Sequence, residues 1–372
     1  MTGELRPLTS ARGLAAWLVV LYHIRLSIAG LPPPALAVFA KGYLAVDFFF
    51  LLSGFVIWLS WSERLRGGGA VAVRHFWWKR LARVWPLHLF MLAAAVALAL
   101  LLLATGRANP ARFPFAELPL HLLLIQNWGF TRVLTWNDPA WSISAEAAAY
   151  LLFPLLAAGL DWRRMPGVVV VAGIAAPLLL LHVVMSHAGA PTLGWAIPRL
   201  GLIRCLCELA GGTGVAALYM RRHARPRLTA ALAAALATIL LAGAAMRLLP
   251  ETLAVPPAFA AVLLALALTA RAARNPLGWA PLHYLGRISY ATYLGHWLLF
   301  YAFKLALVSD ARAVPPALVA LYLVLVLATS VGLHHLVELP AQRWLGRRPL
   351  PARNDPHPRA LPPDGRENRL FG

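Results

Sequence analysis

An ionisable side chain inside a long apolar run is costly to place in lipid, so each one is a candidate for chemistry or for a pair that ties helices together. Arg12 and His23 stand eleven residues apart in one such run. On a helix that spacing is three turns plus ~20°, so both face the same way with ~16 Å between them. Histidine changes charge near neutrality and can act as general base on a hydroxyl. Asp47 opens a second run, where it serves either as a helix-start residue or as a partner that orients a histidine. Arg80 and Arg83 share a helix face at i, i+3. Their forked guanidinium groups suit phosphate, although by charge alone they read as anchors at the inner membrane surface. In Trp141-Ser142-Ile143-Ser144-Ala145-Glu146, Ser142 and Glu146 share a face. Further on, Ser289, Tyr293 and His296 fall at i, i+4, i+7, a polar stripe turned to the inside of a helix bundle. His334 and Glu338 read as a structural pair, because the H-E-x-x-H metal pattern is missing. No metal is expected. Cys205 and Cys207 point different ways from an apolar run and read as core residues.

The elements that position these residues follow from composition. Of 372 residues, 60% are hydrophobic and only 13% charged, about half the ~25% of a soluble domain. That excludes an ordinary soluble enzyme. A spanning helix takes ~20 apolar residues, and ten candidate stretches are present. They fall near 13–30, 43–61, 83–104, 142–160, 167–187, 199–220, 229–249, 255–272, 287–308 and 315–337. The expected fold is therefore all-α and integral to a membrane, with about ten transmembrane helices. Most of the 34 Lys and Arg residues lie in alternate connections, which sets an N-in/C-in orientation. The net charge of +20 is accounted for by this topology, and nucleic acid is not an expected partner. Residues 1–348 read as one membrane domain. Residues 349–372, rich in Pro and Arg, read as a disordered basic tail at the cytoplasmic surface. His23 and Arg25 interrupt the first run, which argues for a retained helix over a cleaved signal. The longest loop, 105–141, holds Gln126-Asn127-Trp128 and Trp136-Asn137-Asp138-Pro139. Tryptophans beside amides and carboxylates suit a sugar, and they are equally the normal content of an interfacial belt.

In their order along the chain these segments resemble membrane acyltransferase family 3, the integral-membrane O-acetyltransferases of bacterial surface glycans and some small molecules. The resemblance runs from Arg12 to about Arg343. It rests on the Arg12/His23 pair, the stretch from Gly42 through Asp47 to Ser53-Gly54-Phe55, and Arg80/Arg83 with Pro86. It continues with Trp141 to Glu146, the Gly286–Tyr290 turn with Tyr293 and His296, and Glu338-x-Pro340. Ala145 stands where the family often has Val.

The resemblance implies transfer of an acyl group, usually acetyl, from cytoplasmic acyl-CoA to a hydroxyl of a glycan, lipid-linked sugar or small hydroxylated acceptor at the outer face. His23, Glu146 and Asp47 would then be catalytic, with a carboxylate fixing the tautomer of His23. Arg12, Arg80 and Arg83 would hold the CoA phosphates, and Ser142, Tyr290, Tyr293 and His296 would meet substrate. The protein would be a multi-pass protein of a bacterial inner membrane. A proton-coupled transporter of an acylated lipid or sugar would also use deep His, Asp and Glu residues. Against it, no inverted repeat or Gly/Pro-broken helix pair is present in the sequence.

Overall fold

The computed structural model describes residues 4–221, 226–272 and 275–346. The basic tail expected at 349–372 lies outside the described residues. Ten long helices match the ten expected runs: α1 (Arg6–Ile24), α2 (Ala45–Gly67), α3 (Gly69–Ala104), α4 (Ala140–Gly159), α5 (Gly167–His187), α6 (Ile197–Arg221), α7 (Pro226–Ala245), α8 (Glu251–Thr269), α9 (Ser289–Leu307) and α10 (Pro316–Leu333). Among the described residues there is no strand, only an isolated bridge between Ile28 and Val314. The chain is an all-α integral membrane protein.

Eight of the ten helices, all but α1 and α9, are long and apolar enough to cross a membrane. The two exceptions carry Arg12 and His23 on one and Ser289, Tyr293 and His296 on the other. These candidate-site residues, together with Arg6 in α1 and Lys304 in α9, lower the hydropathy of the two helices. Each has 19 residues, about 28 Å of helix, and each finds cover from its neighbours in the bundle. The Gly69–Ala104 helix is 36 residues long, ~54 Å. Its excess length carries the basic stretch Arg74–Arg83 before the apolar run begins.

Two glycine contacts set how closely the site helices approach. A Cβ on Gly286 would lie 1.9 Å from Thr9 O, and one on Gly13 would lie 2.6 Å from Gly286 N. The start of α1 is thereby pressed backbone to backbone against the short helix Ala280–Arg287 that leads into α9. In the same way a Cβ on Gly54 would lie 2.0 Å from Leu209 O, and one on Gly212 would lie 2.1 Å from Leu51 O. This is small-residue packing between α2 and α6, with van der Waals contact in place of a hydrophobic drive. α10 runs on through a π-helical turn, His334–Glu338, a form that often marks a functional position.

The long loop between α3 and α4 is an ordered cap. It contains the short helix Leu118–Leu122, and Trp136, fully buried, bonds through Nε1 to Pro114 O. Arg112 pairs with Asp138 at 2.5 Å and stacks 3.8 Å above the Trp297 ring of α9.

Candidate active site

The Gly13–Gly286 contact explains the first feature of the site. It brings Arg12 to the junction before α9, where Nε donates to Ser289 Oγ at 2.9 Å and Nη2 to Gly286 O at 2.8 Å. Arg83, from the basic stretch of α3, pairs with the buried Glu338 at 2.5 Å. Its guanidinium also lies 5.7 Å from the centre of the Tyr290 ring. Glu338 takes a second bond from His334 Nδ1 at 2.9 Å, across the π-helical turn. Tyr290 itself donates to Val84 O at 2.6 Å. Arg80 sits beside Tyr150 and Glu146, and its Nε has no partner among the described residues. Glu146 accepts from Ser53 Oγ at 2.5 Å. Three arginines, two carboxylates and two phenols from five helices therefore form one cluster that runs from the Arg12–Ser289 junction inward to Glu146, seven residues into α4. The forks are partly engaged, Arg12 by two hydrogen bonds and Arg83 by its pair with Glu338.

Three turns further along α1, His23 faces α9. Its Nδ1 lies 2.9 Å from Val19 O and 3.1 Å from His296 Nε2. His296 is buried, and its own Nδ1 lies 3.0 Å from Thr292 O. A carbonyl only accepts, so Nδ1 of both rings carries the proton. With that assignment, His296 Nε2 presents a lone pair to the His23 Nδ1–H. The opposite tautomers would set two nitrogen lone pairs against two carbonyl oxygens. One result follows: Nε2 is the unprotonated nitrogen of the His23 ring. The neighbouring pair is similarly determined. Ser142 donates to Pro139 O at 3.1 Å, so the 2.7 Å contact with Tyr293 is a bond from the phenol to Ser142 Oγ. This ties α4 to α9 one turn before His296.

The expected carboxylate partner of His23 is thus a second histidine. Asp47 turns both oxygens to Arg204, with Nε at 2.7 Å and Nη2 at 2.5 Å, and both residues are almost wholly buried. Arg204 also donates to Leu193 O at 3.1 Å and to Tyr43 O at 3.4 Å. Glu208, one turn along α6, is fully buried near the same pair. The physical reason is charge: the buried Arg204 has to be neutralised, and Asp47 lies opposite it across the close α2–α6 contact. Arg204 and Glu208 belong to none of the motifs above; their signal in the sequence is an arginine and a glutamate one turn apart within the apolar run 199–220. Ser53, which reads as a small packing residue, also bonds Glu146. Cys205 and Cys207 are buried and free.

The cap closes the far end of the bundle. Asn137 donates through Nδ2 to Leu294 O at 2.9 Å, two residues before His296. Thr135 Oγ1 donates to Glu117 at 2.7 Å and so accepts from His121 Nε2 at 3.0 Å. Burial pushes the His121 imidazole down to about 3, with His88 and Arg112 acting in the same direction. The ring is therefore neutral at physiological pH, with its Nδ1 a lone pair.

A family model described as an acyltransferase domain matches residues 8–335. The acyltransferase MdmB of Streptomyces mycarofaciens is 32% identical over 348 residues, covering 85% of each chain. A protein of Rhizobium radiobacter named Protein 2 in picA locus is 35% identical over 103 residues, 28% of this chain and 50% of that one. No solved structure matches the chain.

Proposed function

The chain belongs to this acyltransferase family and is a multi-pass membrane enzyme, and from that premise we propose that it moves an acyl group, acetyl first, from cytoplasmic acyl-CoA to a hydroxyl of a sugar or glycan on the extracytoplasmic side of a bacterial inner membrane. The observation that carries this reading is the open Nε2 lone pair of His23, on the same face of α1 as Arg12 and ~16 Å above it. The charged end of the bundle suits the phosphates of CoA. Arg80 keeps an unpartnered Nε there, and Arg12 and Arg83 add charge that Glu338 and Glu146 only partly offset. From that end the flexible arm of the donor can carry its thioester toward His23.

At His23 the chemistry balances without an outside reagent. His23 Nε2 takes the proton of the acceptor hydroxyl as its oxygen attacks the thioester carbonyl. The C–O bond forms, the C–S bond breaks, and the same proton passes to the departing thiolate. While His23 holds that second proton, its Nδ1–H bond to the His296 lone pair strengthens, because a charged donor bonds more tightly. His296 therefore orients the base and steadies its cationic form. Tyr293, held by Ser142, and Tyr290 line the α9 face that substrate would pass. Glu146 stands at the donor end, and Asp47 holds α2 to α6 beneath the site.

The test is acyl-CoA turnover by the purified protein in liposomes, following free CoA with acetyl-CoA as donor. Wild type is expected to release CoA faster when a hydroxylated acceptor is present. His23→Ala should lose ~10²–10⁴ of that rate while keeping its melting temperature. Equal rates in the two proteins would remove His23 from the chemistry. Absence of acyl-CoA binding or consumption in both would leave the arginines as topology alone.

A further inference from the structure

From Ala45 to Trp58 every residue of α2 is buried except Phe49, Ser53 and Val56, which are half-buried. They fall at i, i+4 and i+7, one face of the helix, and extend over ~10 Å. This face looks inward. Phe49 lies edge-on to Tyr293 of α9, ring centres 5.7 Å apart. Ser53 bonds Glu146 of α4 at 2.5 Å and lies 3.4 Å from the Tyr150 hydroxyl. The flanking phenylalanines turn elsewhere, Phe48 to Phe259 of α8 and Phe50 to Trp141 of α4. On α4, Glu146 and Ala147 are likewise the half-buried positions between Ala140 and Tyr150. The stripe therefore faces the seam between α4 and α9, and this seam joins the two ends of the site. Arg80 sits at its donor end beside Glu146 and Tyr150. Beyond Phe49 the ring centres step 6.3 Å from Tyr293 to His296 and 5.0 Å from His296 to His23.

We infer that the Phe49–Ser53–Val56 face of α2 is the wall along which the pantetheine arm of the donor lies, an inference that rests on the acyl-transfer reading above. The order of polarity selects this ligand. Pantetheine is a narrow chain whose amides stand between apolar ends. The seam repeats that order: Val56, then the carboxylate of Glu146 with the hydroxyls of Ser53 and Tyr150, then the rings of Phe49 and Tyr293. An amide N–H donates to a carboxylate or hydroxyl oxygen, and an amide carbonyl accepts from a hydroxyl. A hydrocarbon tail would leave the polar middle without partners, and a small ion has no use for the apolar ends. The Phe49 and Tyr293 rings are in contact, so the arm reaches His23 by displacing one of them. Tyr293 is buried and bonded to Ser142, whereas Phe49 is half-buried and carries no such bond. Phe49 is the ring that moves, and Val56 is the apolar position nearest the donor end.

The experiment places a cysteine on the stripe and one beside it, Val56→Cys and Ile57→Cys, in the full chain in nanodiscs. Ile57 is buried one position off the stripe, and the native Cys205 and Cys207 are buried. The probe is aminoethyl methanethiosulfonate, a charged thiol reagent, with its uptake read by mass spectrometry against the wild-type background. Val56→Cys is expected to react, and to react about tenfold more slowly with CoA present at ~10 times its Kd. Ile57→Cys should stay unlabelled. A further sample holds 3′-phospho-ADP, the part of CoA that lacks the arm, and it should leave the Val56→Cys rate unchanged. An inert Val56→Cys, or labelling that CoA does not slow, overturns the wall. Equal labelling at position 57 overturns the choice of face. Equal protection by 3′-phospho-ADP overturns it as well, because the effect would then come from the arginines alone. Acetyl-CoA consumption in the same samples keeps the two readings apart. Arm-dependent protection without any consumption would sink the transfer reading and leave the wall, and consumption with an unprotected Val56→Cys would do the reverse.

Discussion

At the scale of single residues, the site separates ionisable groups that are spent from groups that are available. Asp47 and Arg204 spend their charges on each other, and Arg204 donates further to Leu193 O and Tyr43 O. Removing one partner of such a buried pair costs ~3–5 kcal/mol, because the other charge is stranded, whereas an apolar replacement of both is often neutral. Asp47→Leu is therefore expected to lower the melting temperature sharply in detergent, and the double variant Asp47→Leu with Arg204→Met to recover most of the loss. A double variant as unstable as the single one would mean that the charges act beyond this pair. His23 is the contrasting case. Its bonds to Val19 and His296 consume only Nδ1, and Nε2 stays open for a proton.

At the scale of elements, the site depends on how near α1 comes to α9. Gly13 and Gly286 permit that approach, and the Arg12 bonds to Ser289 and Gly286 O follow from it. Gly286→Ala would push a methyl group into Thr9 O and force the two elements apart. Overpacking of this kind costs ~1–3 kcal/mol, and here it also moves Arg12 away from Ser289. The expected outcome is a KM for acetyl-CoA raised several-fold, with loss of stability in that range by thermal unfolding. An unchanged KM with normal stability would show that α1 can shift without disturbing the donor end. The π-helical turn at His334–Glu338 acts similarly on Arg83, since it gathers His334 and Glu338 on one side of the helix.

At the scale of the whole molecule, the proposal needs two faces, one supplying the donor and one the acceptor. The orientation expected from charge in the connections would put the Arg163–Arg164 turn on the cytoplasmic side and the 105–141 cap outside. The two native cysteines are buried, so a new one can be read against a quiet background. Leu123 and Arg164 are both well exposed. Leu123→Cys should react with a membrane-impermeant maleimide on intact cells, and Arg164→Cys only after permeabilisation. The reverse pattern would invert the topology and place the charged end of the bundle outside, away from cytoplasmic acyl-CoA.

Much of this organisation is legible in the amino-acid sequence. The ten long helices are written as apolar runs, and their order is set by the chain. Arg12 and His23 must share a face because helical periodicity requires it, and the α9 stripe from Ser289 to His296 follows by the same geometry. Local spacing cannot decide which stripe meets which. His296 lies 273 residues from His23 and Arg204 lies 157 from Asp47, and no periodicity relates positions on different helices. The tertiary structure settles those pairings through close backbone contacts at Gly13, Gly54, Gly212 and Gly286. That is why Asp47 belongs to Arg204, and why the residue beside His23 is a histidine where a carboxylate was expected. The loop 105–141 is the extreme case. Its amides are spread along a connection, and only folding gathers Gln126, Asn127 and Asn137, with His121, around one hollow, because unpaired buried polar atoms are a property of three-dimensional surroundings and not of residue type.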